Sequence, residues 1–381
     1  MHELIMQEKA SAIFADTKPH YQLLNGLRGV AALMVIWYHV FEGFATSPID
    51  QRFNHGYLAV DFFFILSGFV IGYAYDDRWN RMKMKDFFKR RLIRLHPMVV
   101  MGAVLGGITF SMQGCEKWDG TEVTVWMLLL AMFLNFFLIP AVPGSGAEVR
   151  GNGEMYPLNG PSWTLFFEYI GNILYALILH RLSTKALKGL VLLAAIGLAS
   201  FAVLNLSGYG HLGVGWTLAD NNLLGGLLRV LFSFSAGLLI SRVFNPVQVK
   251  GAFWICASAI IFLLSMPYIG NGESPWMNGL YDSVCVILIF PLLVYLGASG
   301  KTTDKTSFRI CKFLGDISYP LYIVHYPFMY LFYHWLWSDQ PAFSQTWPVI
   351  AALFFGNILL AYLCLKLYDE PVRRWLTKKL F

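Results

Sequence analysis

The chain has 381 residues, of which 56% are hydrophobic and only 14% charged, with a formal net charge of +6. A soluble protein carries roughly 25% charged residues, so the composition excludes a soluble globular chain. The positive balance does not require nucleic acid, because the basic residues fall mostly in short loops between apolar runs, where they mark the cytoplasmic side of a membrane.

The first apolar run, Asn25 to Phe44, is of membrane length and carries Arg28 at one end and His39 inside it. On an α-helix the two side chains lie on nearly one face, roughly 16 Å apart along the axis. An ionisable group within a spanning helix costs about 2.5–3.5 kcal/mol or more, which makes it a functional candidate. Histidine is cheaper because it can be buried neutral. Hydrogen bonding to a neighbouring helix is the plainer use of a lone histidine, so catalysis needs support from the rest of the chain.

The second run, Tyr57 to Tyr75, has Asp61 near its start and Ser67-Gly68 in its middle. Small residues at mid-helix allow close helix approach. Asp61 is read as interfacial, or as paired with a base or orienting a histidine. Residues 76–97 then hold eight Lys or Arg against three Asp, the strongest cytoplasmic mark in the chain. Asp86 to His96 fits an amphipathic helix with Phe87, Phe88, Leu92 and Leu95 toward the membrane. Within it Arg90, Arg91 and Arg94 cluster, and Arg91 and Arg94 share a helix face. Guanidinium forks suit phosphate; a basic loop lying on anionic lipid is the plainer reading.

Further apolar runs fall near 97–113, 123–142, 162–180, 187–206, 222–241, 251–269, 281–299, 313–335 and 347–366. Basic loops at 180–188, 241–250 and 301–312 and the tail also read as cytoplasmic, whereas 115–123 is acidic and fits outside. An even number of crossings must separate the loops at 76–96 and 180–188, yet three candidates lie between them. One therefore does not span. The 123–142 run, with Asn135 and Pro140, is favoured as a re-entrant segment, with 97–113 as the other candidate. The expected fold is an all-α polytopic integral membrane protein of about ten transmembrane helices plus one re-entrant segment, both termini cytoplasmic. It divides into a cytoplasmic segment 1–22, one membrane domain 23–374 and a cytoplasmic tail 375–381. No cleaved signal peptide is read in residues 1–22; the first helix is the insertion signal.

Pro161, Ser162 and Trp163 open a helix that places Glu168 about two turns in, facing a cavity or an arginine partner. His325 stands between Pro320 and Pro327, which kink its helix and free backbone carbonyls. The five cysteines, Cys115, Cys256, Cys285, Cys311 and Cys364, have no paired or metal-like spacing and read as small core residues; no metal site is expected.

The runs LNGLRGVAALMVIWYH, YLAVDFFFILSGFVIG, RRLIRLHP, GPSWTLFFE, ISYPLYIVHYP and DEP follow one another in a fixed order. In these the chain resembles the acyltransferase-3 family of bacterial membrane proteins, from about Leu23 to Arg374. The resemblance implies transfer of an acyl group, most often acetyl, from cytoplasmic acyl-CoA to a hydroxyl of an extracytoplasmic glycan or of a lipid-linked or secreted saccharide, at the inner membrane. Carried onto matching positions, it implies Arg28 and His39 for the arginine-ten-residues-histidine motif and Arg91 and Arg94 for Arg-x-x-Arg. It further implies Ser162, Trp163 and Glu168 for the Ser-Trp pattern, and His325.

On this reading His39 and Glu168 are catalytic, and Arg28, Arg90, Arg91 and Arg94 bind acyl-CoA, a co-substrate rather than a resident cofactor. Asp61, Ser67, Ser162, Trp163 and His325 support the site. His39 acts as general base, or as a transient acyl carrier, and Glu168 orients its imidazole or positions the acceptor. The expected partners are acyl-CoA, the saccharide acceptor, membrane lipid and polysaccharide-biosynthesis proteins, and no nucleic acid. The competing class is a glycan or lipid transporter whose buried His, Glu and Arg line a pathway; a requirement for acyl-CoA separates the two. A scaffold for an envelope-polysaccharide complex, the third reading, predicts that His39 and Glu168 are replaceable.

Overall fold

A computed structural model describes residue 18 and residues 20–301 and 304–381, so most of the segment expected at 1–22 lies outside the described residues. The helices are α1 Gln22–Glu42, α2 Ala59–Tyr75, α3 Met84–Met112, α4 Val125–Phe136, α5 Ser162–Leu177, α6 Thr184–Val203 and α7 Asn222–Val243. They continue with α8 Ala252–Ser265, α9 Pro275–Val284, α10 Phe290–Ser299, α11 Lys305–Asp339, α12 Phe343–Cys364 and α13 Glu370–Leu380. Among the described residues there is no β-strand, only two isolated bridges. One-turn π segments, Cys285–Ile289 and Leu365–Asp369, join α9 to α10 and α12 to α13. Each precedes a proline, Pro291 or Pro371, whose missing N–H removes one ladder bond that the wider turn absorbs.

Among the described residues eight helical runs are long and apolar enough to cross a membrane: 22–42, 55–78, 84–112, 162–181, 184–203, 222–243, 275–299 and 343–380. This is a helical membrane protein. Large apolar side chains stand uncovered on its flanks, with Trp126 80% and Phe355 67% exposed, as a lipid-facing surface requires and a soluble one avoids.

The basic stretch before Pro97 is not a separate surface helix. It is the first part of α3, which runs unbroken through Pro97. The segment at 123–142 forms only the twelve residues of α4. That is roughly 18 Å against an apolar core of about 30 Å. Thr124 starts it, its hydroxyl accepting from the Met127 N–H at 3.3 Å, and Leu138 ends it in the left-handed region with φ 52°.

Two helix pairs carry the packing, α1 on α11 and α2 on α7. In the second pair the backbones touch. A Cβ on Gly68 would lie 2.0 Å from the Phe234 carbonyl oxygen, and one on Gly237 would lie 1.9 Å from that of Ile65. Of the Ser67-Gly68 pair at the middle of α2, Gly68 therefore serves close approach, as the sequence suggested. Gly68→Ala is expected to push the two helices apart and destabilise the protein by about 1–3 kcal/mol, the usual cost of overpacking. A lowered melting midpoint in detergent would register this; an unchanged one would mean that the pair has slack.

Candidate active site

His39 lies near the C-terminal end of α1, one turn before Glu42. Residues three apart on a helix are neighbours, and His39 Nδ1 is 2.6 Å from Glu42 Oε2. An ionised carboxylate only accepts, so Nδ1 carries the proton and Nε2 of the neutral ring presents its lone pair. The Glu42 carboxylate is held by its surroundings. The Tyr333 hydroxyl lies 3.0 Å from Oε2 and 2.7 Å from the His39 carbonyl oxygen, and the Tyr38 hydroxyl is 3.5 Å from Oε1. Trp337 Nε1 donates to the Gly43 carbonyl at 3.0 Å, which fixes this end of α1 on α11. A carboxylate–histidine pair of this kind fixes the ring's tautomer and orientation and stabilises its charged form.

His39 and Glu42 line a cavity of about 480 Å³. Its other walls come from the 45–57 loop, Trp118, the 152–163 segment, the 209–216 loop and α11. Aromatic rings dominate, among them Trp163, Trp216, Tyr326 and Tyr330. The His325 ring lies behind, 5.5 Å from that of His39 between centroids. Its Nδ1 is 3.1 Å from the Leu321 carbonyl oxygen and so donates, which leaves a buried Nε2 lone pair without a protein partner.

Among the titratable groups of the cavity loops, His211 and Glu154 depart from ordinary behaviour. Burial pushes His211 down to about 4, so it is neutral near pH 7; its Nδ1 accepts from the Gly213 N–H at 2.8 Å, which puts the ring proton on Nε2. Burial pushes Glu154 up to about 7, despite hydrogen bonds from Tyr330 and Asn152 and the nearby charge of Arg150. Glu42 on α1 opposes ionisation further. The folded state thus holds a proton that an ordinary glutamate, at 4.5, has released. Its contribution to stability is complete below about 4.5 and is lost as pH rises through about 7. One component of the protonated-carboxyl infrared band is expected to titrate out between about pH 6 and 8, and that component to be missing in Glu154→Gln. The same component in the variant would assign it elsewhere.

The other sequence-predicted residues separate into two groups. At the opposite end of α1, Arg28 donates to Ser318 Oγ at 2.8 Å and approaches the Gly315 carbonyl at 3.3 Å. Its charge feels Glu168, Asp316, Arg91 and Arg373, and that of Arg94 feels Arg373, Arg28, Asp369 and Arg91. Arg91 is paired with Glu168 at 2.7 Å, and Ser67 donates to the same carboxylate oxygen at 2.5 Å. Glu168 is therefore not the partner that orients His39; the carboxylate on the imidazole is Glu42, and Glu168 balances the arginines. Arg90 packs over the C-terminal Phe381 ring at 4.5 Å.

The second group surrounds Asp61, which pairs with a base, one of the alternatives read from the sequence, and bonds no histidine among the described residues. It is fully buried against Arg229, Oδ2 to Nη2 2.7 Å. Arg229 also donates to the carbonyls of Val214 and Tyr57, both at 2.8 Å, and its guanidinium lies 5.3 Å from the Trp163 ring. The pair braces cavity walls. Ser162 accepts from Asn135 Nδ2 at 3.2 Å, tying α4 to the start of α5.

The model of an acyltransferase domain matches residues 21–366. The chain belongs to the acyltransferase-3 family. It is 24% identical over 371 residues to the peptidoglycan O-acetyltransferase OatA of Listeria monocytogenes, a match covering 92% of this chain and 55% of that protein. It is 26% identical over 368 residues to the putative O-acetyltransferase SACOL0978 of Staphylococcus aureus, covering 92% and 57%. A shorter match, 32% over 165 residues, is to protein 2 in the picA locus of Rhizobium radiobacter, covering 40% of this chain and 80% of that one. The chain thus spans little more than half the length of the two O-acetyltransferases. No solved structure matches.

The arrangement sets the His39 imidazole on the lining of a cavity and a cationic group one helix-length away. Sequence reasoning found His39 and the arginines but passed over Glu42, Glu154 and Arg229. Only Glu42 left a local signal, an acid three residues after the histidine on the same helix. Glu154 and His211 lie in loops that have no period to read.

Proposed function

We propose that the chain transfers an acyl group, acetyl by preference, from cytoplasmic acyl-CoA to a hydroxyl of a glycan or of a lipid-linked or secreted saccharide at the bacterial inner membrane. The observation that carries this reading is the Glu42-backed His39 at one end of α1 with Arg28, Arg91 and Arg94 gathered at its other end. Ten crossings are proposed, the eight apolar runs together with α8 and α11, with α4 within the membrane and both termini cytoplasmic. The basic loops then lie inside, and so does the Arg28 end of α1.

His39 Nε2 takes the proton of the acceptor hydroxyl. The oxygen attacks the thioester carbonyl carbon, the C–S bond breaks, and the CoA thiolate leaves and recovers the proton from the imidazolium. Glu42 stabilises the imidazolium meanwhile. A His39 acyl intermediate is the stepwise form of the same transfer. The donor's phosphates meet Arg28, Arg91 and Arg94, whose positive charge Glu168 and Asp369 only partly offset. Arg90 borders this group as a further phosphate contact. Membership of an acyltransferase family supports this over transport.

The decisive experiment is mass spectrometry of surface glycans from cells lacking the gene, restored, and restored with His39→Ala. Loss of one acyl mass in the first and third alone supports the reading. Equal acylation in all three overturns it. At the donor site, Arg94→Gln is expected to weaken acyl-CoA binding about 10–100-fold, the worth of a charge-assisted hydrogen bond. Titration calorimetry on purified protein measures it, and unchanged affinity would remove Arg94 from the donor site.

A further inference from the structure

The cavity over His39 is charged on one side of the ledger only. Its lining holds two carboxyl groups, Glu42 and Glu154, and among the described residues no lysine or arginine. A third carboxylate sits at the rim. Asp50 accepts from the backbone and hydroxyl of Thr46 and Ser47, two lining residues, at 2.7–3.0 Å. These bonds hold its pKa well below the usual range, so it is charged at any working pH.

The nearby guanidiniums are turned to other work. Arg52, in the same loop, packs over the Phe343 ring. Arg150 lies behind Tyr330, 3.4 Å from the ring centroid, and donates to the Pro157 carbonyl and Gln113 Oε1. Arg229 lies behind Trp163 and is taken up by Asp61. Of the two histidines on the lining, His211 is neutral and His39 already faces Glu42.

Taking the cavity as the acceptor site, which rests on the proposed role of its lining residue His39 toward the acceptor hydroxyl, we infer that it selects a neutral sugar and excludes an anionic one such as a uronate, with Glu154 as the specificity-determining residue. Glu154 lines the same cavity as His39, its oxygens held by Tyr330 and Asn152 and each still able to accept one more bond. Sugar hydroxyls supply such donors, and the tryptophan and tyrosine walls cover the apolar C–H face of a pyranose ring. An acceptor carboxylate would meet Glu42 and Glu154 in a low-dielectric space with no cation to receive it, and like charges so placed disfavour binding strongly.

The test is a competition. The full chain in proteoliposomes is given labelled acetyl-CoA and equal amounts of an alkyl hexoside and the matching alkyl hexuronide at about pH 8, where Glu154 is ionised. The expected product ratio favours the neutral sugar by at least about tenfold, and Glu154→Gln brings that ratio down several-fold whatever its absolute rate. The wild-type ratio needs no variant to fold. Equal use of the two acceptors, or preference for the uronide, overturns the inference, as does acylation of native-membrane glycan with neither small sugar labelled. An unchanged ratio in Glu154→Gln removes Glu154 from the role. No acyl transfer to any acceptor, native glycan included, overturns the proposed function itself.

Discussion

His39→Ala is expected to lower acyl transfer about 10²–10⁴-fold, the usual contribution of a positioned general base, with the protein level in the membrane unchanged. The level should hold because the ring is only half-buried at the edge of a cavity and its polar partner is one turn away on the same helix. Glu42→Gln should give a smaller loss, about 10–100-fold, since a neutral amide keeps the ring in place but no longer stabilises the imidazolium. Glu168→Gln is the contrast. Glu168 faces Arg91 rather than the imidazole, so its loss should weaken acyl-CoA binding or protein level before it touches the chemical step. Initial rates at saturating donor separate the three. If His39→Ala kept full activity, the base would have to be sought elsewhere. If Glu168→Gln matched Glu42→Gln at saturating acyl-CoA, the division of the site into two ends would be wrong.

What the sequence made visible was whatever repeats on a helix. Arg28 and His39 were legible as one face of α1, and the loop charges set against the apolar runs left one of three runs as non-spanning, with 123–142, which holds the short α4, favoured over 97–113. Pairing between helices was not legible, because it depends on which helices become neighbours. Asp61 and Arg229 are 168 positions apart, and Glu168 and Arg91 are 77. An acid read alone in an apolar run can be given to any base, so Glu168 stood open to an arginine or to the histidine and Asp61 to any base, and neither Arg91 nor Arg229 was named as the partner. The cavity walls were hidden for another reason. Glu154 and His211 sit in irregular loops, where neither period nor charge count says which way a side chain turns. Pro97 misled in the opposite direction, since a proline that marks a boundary in water is tolerated inside a membrane helix.

The largest effect on stability is expected at Asp61. Asp61→Asn leaves Arg229 as an uncompensated charge at 0% exposure, and breaking a buried pair in this way costs about 3–5 kcal/mol. Much lower protein yield and melting midpoint should follow. Replacing both partners by apolar residues, Asp61→Leu with Arg229→Met, should recover most of the yield, because a buried ion pair gives little net stability over a packed apolar substitute. Activity should recover less. Arg229 also holds the Val214 and Tyr57 carbonyls at the cavity wall, and methionine cannot donate to either. The double variant is therefore expected to reach normal levels with a raised acceptor KM and a smaller change in kcat, the mark of a loosened wall around an intact base. If Asp61→Asn instead kept normal stability and lost kcat, Asp61 would belong to the chemistry, and the brace would be a second function of the same residue.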